Sequence, residues 1–174
     1  MNDSLYRNSI YLMASTLVLA ILGFFFWIIN ARLFTTAQIG LATTLISVAS
    51  LISSFCLLGL NVGLIRYLPT SERKNEKINT SFVLITITSL LLSIIYLLGI
   101  NIFSQQLSFI KDNLLFSILF IVIIISFSLN VIFDTIFTAY RSTKYVLLKN
   151  IVLSVTKLIL PFLLIAFGTY GIFL

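Results

Sequence analysis

Five long apolar runs alternate with short polar segments along the chain. The runs cover residues 10–29, 41–65, 81–103, 114–140 and 151–167, and the polar segments cover residues 30–40, 66–79, 104–113 and 141–150. A helix that crosses a bilayer needs roughly 20 mostly apolar residues, so each run predicts a transmembrane helix. Ile172, Phe173 and Leu174 resemble the first residues of a sixth. The pattern predicts an all-α, polytopic membrane helix bundle and a chain that is incomplete after residue 174.

The composition excludes the soluble classes. Of the 174 residues, 60% are hydrophobic and 9% are charged, whereas a soluble domain has roughly a quarter of its residues charged. A membrane β-barrel is disfavoured as well, because its strands alternate apolar and polar residues.

Few side chains are available for catalysis. The chain has no histidine and a single cysteine, Cys56, and it has five acidic residues. Histidine-based acid–base catalysis and Cys/His metal clusters are therefore excluded. We expect no enzyme, no metal site and no cofactor.

The basic residues predict the orientation. Eight of the eleven lie on one side of the predicted topology, namely Arg7, Arg66, Arg73, Lys74, Lys77, Arg141, Lys144 and Lys149. Only Arg32 and Lys111 lie on the other side, and Lys157 is within the last run. Because cytoplasmic loops of membrane proteins are enriched in Lys and Arg, the N-terminus is predicted to be cytoplasmic. The net charge of +6 is explained in this way, and no nucleic-acid partner is expected.

Polar residues recur at helical spacing inside four of the runs. They are Thr43, Ser47, Ser50, Ser54 and Asn61; Thr86, Ser89, Ser93 and Tyr96; Ser126, Asn130, Asp134, Thr138 and Arg141; and Asn150, Ser154 and Lys157. Such a face points either at another helix, with hydroxyls as packing and hydrogen-bonding groups, or at a water-filled cavity.

Asp134 and Lys157 are the ionisable residues deep in the runs. Both are expected roughly 10 Å inside the cytoplasmic boundary, where they could form an ion pair; alternatively, Lys157 reaches the headgroups and Asp134 finds water. Pro161 leaves the Lys157 carbonyl without its helical donor, which predicts a kink, either a static one or one that lines a cavity. Gly59 and Gly63 form a Gly-xxx-Gly step that favours close helix approach.

Several strings carry a family resemblance. They are ARLFTTAQIG at 31–40, LGLNVGLIRYLP at 58–69, AYRSTKY at 139–145, KLILP at 157–161 and GTYG at 168–171. In order and spacing they resemble the N-terminal part of the polysaccharide and oligosaccharide flippases, within the multidrug/oligosaccharidyl-lipid/polysaccharide exporter superfamily. The resemblance implies a two-lobed transporter fold, of which residues 1–174 are the incomplete N-terminal transmembrane lobe.

The resemblance also implies a function, which is the movement of a lipid-linked oligosaccharide across the cytoplasmic membrane for surface polysaccharide synthesis. Implied partners are that substrate, membrane lipids, and the polysaccharide polymerase and glycosyltransferases of the same pathway. Candidate cavity residues are Arg32, Arg66, Asn130, Asp134 and Lys157, with Pro161 as a hinge. Arg32 and Arg66 could instead anchor helix ends at the interface.

Two other functions remain open. One is a cation-coupled multidrug exporter of the same superfamily, for which Asp134 would be the coupling carboxylate. The other is a small membrane scaffold or subunit that transports nothing.

Overall fold

The structure is a computed structural model that describes residues 2–164, with side chains described for residues 6–161. Its helices are α1 (Asn2–Leu33), α2 (Thr36–Cys56), α3 (Leu60–Tyr67), α4 (Lys74–Phe103), α5 (Phe109–Asp112), α6 (Leu114–Ala139) and α7 (Lys144–Leu164), with a 3₁₀ turn at Gln105–Leu107. No strand occurs among the described residues. The prediction of an all-α membrane bundle is confirmed.

Four helices in the described part of the chain are long and apolar enough to cross a membrane. They are Tyr6–Leu33 of α1, then α2, α4 and α6. They overlap the first four predicted spans, and α7 overlaps the fifth. Residues 165–167 of the fifth span and the expected start of a sixth helix at residues 172–174 lie outside the described residues.

The predicted second span, 41–65, is interrupted, which corrects the expectation of one continuous helix. After α2 ends, Leu58 and Gly59 adopt left-handed backbone angles, with φ of 48° and 76°, and α3 then begins. Glycine suits this turn because it has no Cβ to clash in the left-handed region. A Cβ on Gly59 or Gly63 would meet no other part of the described chain within 4 Å. Gly59 therefore serves a backbone turn, and close helix approach is not observed.

The chain divides into two compact units, one formed by Met1–Thr44 with Tyr140–Leu174 and the other by Leu45–Ala139. In the first unit α1 packs along α7. The Thr143 hydroxyl donates to Asn8 Oδ1 at 2.8 Å, and Asn150 Nδ2 donates to the Ser15 hydroxyl at 2.8 Å. Both pairs are 135 residues apart. The two contacts lie two helical turns apart along each helix and have the same offset, which means that α1 and α7 run parallel.

In the second unit α4 packs against α6. Phe82 lies 5.1 Å from Phe133, and Tyr96 lies 5.6 Å from Phe120, measured between ring centroids. Later residues of α4 therefore contact earlier residues of α6, so the two helices are antiparallel. The core beside them joins residues of α3, its C-cap, α4, α6 and the α2–α3 turn, namely Leu57, Leu64, Leu68, Ile85, Ile132 and Ala139. These directions match a chain that crosses the membrane back and forth.

Candidate transport site

The six residues predicted from the sequence fall in both units. Arg32, Lys157 and Pro161 belong to the first unit, and Arg66, Asn130 and Asp134 belong to the second. The ion pair expected between Asp134 and Lys157 would connect the two units, and it stays a prediction.

Asn130 and Asp134 lie one turn apart on α6, away from its buried side. The buried residues of α6 are Phe120, Ile124, Ser128, Ile132, Thr135 and Ala139. Asn130 is exposed and Asp134 is half-buried, and the Thr138 hydroxyl donates to the Asp134 carbonyl at 2.7 Å. The amide and the carboxyl group thus lie on the side of α6 opposite to its buried residues. A polar pair in that position is suited to a neighbouring helix or to a polar substrate.

Lys157 and Pro161 lie one turn apart on α7. Pro161 is buried, whereas the Lys157 side chain is exposed. Because proline has no N–H, the helix supplies no donor for the Lys157 carbonyl. A cation and a carbonyl acceptor therefore occupy the same turn of α7.

The helix that packs against α7 brings no acidic group to the level of Lys157. The offset of 135 residues places Lys157 beside Leu22 of α1. Asp3 is the only acidic residue in the sequence of α1 and of the whole first unit, and it lies nineteen residues before Leu22, about 28 Å along the helix. A negative charge near Lys157 would have to come from outside this unit, either from protein or from substrate.

Arg32 and Arg66 both lie at helix ends. Arg32 is in the last turn of α1 and Arg66 is in the last turn of α3, and both are exposed. The Arg66 guanidinium lies 5.4 Å from the centroid of the Tyr67 ring. Arginine and tyrosine side chains at helix ends are typical of the membrane interface.

Residues 31–40 contain a capping box that begins α2. The Thr35 hydroxyl accepts from the Gln38 N–H at 3.3 Å, and Gln38 Oε1 accepts from the Thr35 N–H at 3.0 Å. This reciprocal pair satisfies two backbone donors that have no helical partner. The other strings also contain structural residues, since Gly59 forms the α2–α3 turn and Thr143 binds Asn8. These motif residues build the helix boundaries and the α1–α7 contact.

Sequence reasoning missed the hydrogen bonds that hold the interrupted helix. Leu60 N–H bonds to the Leu57 carbonyl at 2.7 Å, so the Cys56 carbonyl loses its usual partner four residues later. Thr88 Oγ1 of α4 lies 3.0 Å from this carbonyl. Such a bond joins residues that are distant in the sequence, and helical periodicity cannot predict it.

Two further buried polar contacts were also missed. The Ser128 hydroxyl donates to the Ser53 hydroxyl at 2.9 Å within the second unit. Asn30 is fully buried on α1; its Nδ2 donates to the Phe26 carbonyl at 2.7 Å, and its Oδ1 has no hydrogen-bond partner among the described residues. An asparagine near the end of the first apolar run was the available signal for this group.

Long apolar helices, buried hydroxyl contacts and ionisable residues within spans define a polytopic α-helical membrane protein. The model of the polysaccharide biosynthesis protein family matches residues 5–173, which is nearly the whole chain. The protein belongs to this family. No curated protein and no solved structure gives a significant match. Family membership connects the chain to polysaccharide biosynthesis and export.

Proposed function

We propose that the protein moves a lipid-linked oligosaccharide from the cytoplasmic to the outer leaflet of the cytoplasmic membrane, for surface polysaccharide synthesis. The observation that carries this proposal is the family match over residues 5–173. The chain acts as the N-terminal lobe of a two-lobed transporter, and its N-terminus is cytoplasmic. No catalytic step is needed, because the substrate changes leaflet without a change in its bonds.

The physical problem in this reaction is desolvation. A glycan with an anionic phosphate linkage loses water when it enters a medium of low dielectric constant, and each unpaired polar group then costs several kcal/mol. Cationic and hydrogen-bonding side chains can replace the lost water. Lys157, beside Pro161, offers a cation at membrane depth, and Asn130 and Asp134 offer polar contacts for the sugar hydroxyls. Arg32 and Arg66 would meet the charged substrate at the two interfaces.

The experiment is complementation of cells that lack the gene, with surface polysaccharide measured at equal membrane levels of each variant. Lys157→Gln removes the cation and is expected to abolish surface polysaccharide, whereas Lys157→Arg keeps it and retains export. Lys144→Gln is the matched control, because Lys144 is an exposed lysine at the start of the same helix. Full export by Lys157→Gln would contradict the proposed role of this residue.

A second candidate function rests on the half-buried Asp134 within α6. In a cation-coupled exporter this carboxylate would carry the coupling proton or sodium ion. Asp134→Asn would then abolish ion-dependent efflux of a small compound while surface polysaccharide stayed normal. A chain that serves as a scaffold would instead leave both measurements unchanged in every variant.

A further inference from the structure

A cavity of about 430 Å³ opens in the second unit, between α3 and the first turns of α4. This volume is typical of small-molecule sites, which span about 300–1,000 Å³. One part of its lining is apolar and comes from Leu60, Gly63, Leu64, Leu68 and Leu84. A ligand that fills it can therefore bury hydrocarbon.

A smaller part of the lining is polar and basic. It comes from Tyr67, Arg73, Glu76, Lys77, Thr80 and Ser81. Arg73 Nη1 lies 3.5 Å from Glu76 Oε2, so the acid offsets one cation and Lys77 leaves the lining with a net positive charge. An anion with a single negative charge therefore matches the net charge of the lining.

The cavity lies where a polar segment of the chain meets two apolar runs. Its basic residues belong to the polar segment 66–79, and its apolar residues, apart from Leu68, belong to the runs on either side, so it lies where headgroups meet hydrocarbon. A soluble anion would leave the leucine side of the cavity unused. A phospholipid would place its phosphate at Arg73 and Lys77 and the first part of an acyl chain against Leu64 and Leu84.

We propose that this cavity is a binding site for an anionic phospholipid of the surrounding leaflet. The site is separate from the proposed path of the oligosaccharide and does not depend on it. The lipid contacts both α3 and α4, so its binding holds the short helix α3 against the longer helix α4. Bound lipid should therefore stabilise the region that follows the interruption between α2 and α3.

The test is native mass spectrometry of the full chain, titrated in detergent with phosphatidylglycerol or phosphatidylcholine. The double variant Arg73→Gln with Lys77→Gln removes both cations, each worth about 1 kcal/mol at a membrane surface, and is expected to weaken phosphatidylglycerol binding roughly thirtyfold. The matched control is Arg141→Gln with Lys144→Gln, which removes two exposed charges outside the cavity. The control is expected to bind like the wild type.

A second arm tests the apolar part of the cavity. Beyond its chain neighbours and its own helix backbone, a Cβ at Gly63 meets nothing within 4 Å, so the side chain of Gly63→Leu has room to enter the cavity and is expected to reduce phosphatidylglycerol binding about tenfold. Gly23→Leu is the control, since Gly23 is equally open on α1. Thr80→Leu fills the same cavity from α4 if Gly63→Leu does not fold. Excess inorganic phosphate is expected not to displace the lipid.

Four results would overturn the proposal. Equal binding of phosphatidylcholine would show that no anion is recognised. Equal loss in both charge variants would show a diffuse electrostatic attraction. If removal of the charges weakens phosphatidylglycerol binding but Gly63→Leu and Thr80→Leu do not, the site binds a free anion. Displacement of the lipid by inorganic phosphate would show the same.

Discussion

Asn150 on α7 donates a hydrogen bond from Nδ2 to the hydroxyl of Ser15 on α1 over 2.8 Å, and both side chains are buried. The contact lies two turns beyond the one between Thr143 and Asn8 and has the same offset. Two polar contacts at one offset fix the register as well as the parallel direction of the helices. In hydrocarbon such contacts are specific, because a helix that slipped by one residue would break both of them.

The first prediction is that Ser15 and Asn150 are energetically coupled. In a double-mutant cycle of Ser15→Ala and Asn150→Ala, measured by unfolding in detergent, we expect a coupling free energy of about 0.5–1 kcal/mol. Thr16→Ala is the control, because the exposed Thr16 hydroxyl binds the Leu12 carbonyl of its own helix. Strictly additive effects of the two substitutions would show that the bond adds nothing to stability.

The second prediction concerns the turn between α2 and α3. Gly59→Ala places a Cβ in a left-handed conformation and is expected to lower the free energy of unfolding by about 1–2 kcal/mol. Gly63→Ala, at an open helical position, is expected to be neutral or to stabilise by roughly 0.5 kcal/mol. Thermal unfolding of the two variants compares them directly. A continuous helix through residue 59 would make both substitutions stabilising.

The third prediction is that Thr88 supports the interrupted helix. Thr88→Val keeps the shape of the side chain but removes the donor near the Cys56 carbonyl, and we expect a loss of about 1 kcal/mol. Thr86→Val is the matched control, since the exposed Thr86 hydroxyl binds only the Phe82 carbonyl of its own helix in the described part of the chain. Equal losses in the two variants would show that the contact with Cys56 carries no special weight.

The fourth prediction is the orientation in the membrane. Lys77→Cys and Lys111→Cys are each introduced with Cys56→Ser, which removes the native thiol; both lysines are exposed. A membrane-impermeant maleimide added to spheroplasts is expected to label the variant at residue 111 and to spare the one at 77 until the membrane is opened. The reverse pattern would place the N-terminus outside.

The sequence predicted the helices well because apolar length is a strong signal for a membrane span. It did not predict the interruption between α2 and α3. Leu58 and Gly59 lie within an apolar run, and hydrophobicity does not report their left-handed backbone angles. The sequence also did not predict which hydroxyl groups bond within their own helix and which contact another helix. Ser54, on the predicted polar face, donates to the Ser50 carbonyl of its own helix, while its neighbour Ser53 is the buried partner of Ser128.

That difference has a physical reason. A serine or threonine hydroxyl can bond to a carbonyl of its own helix, so it is tolerated toward lipid and toward protein alike. Periodicity of hydroxyls therefore does not report which face is packed. The longer side chains of Asn130, Asp134 and Lys157 cannot satisfy their hydrogen bonds within one helix so easily, and for that reason the sequence predicts them as site residues.

The proposed movement of a lipid-linked oligosaccharide between leaflets is tested most directly by measuring the leaflet in which that lipid resides. Spheroplasts that lack the gene and the polymerase step are treated with a membrane-impermeant reagent that oxidises sugar diols. We expect the lipid-linked oligosaccharide to be protected in these cells and to become accessible when the wild-type gene is restored, but not with Lys157→Gln. Equal accessibility with and without the gene would contradict the proposed function.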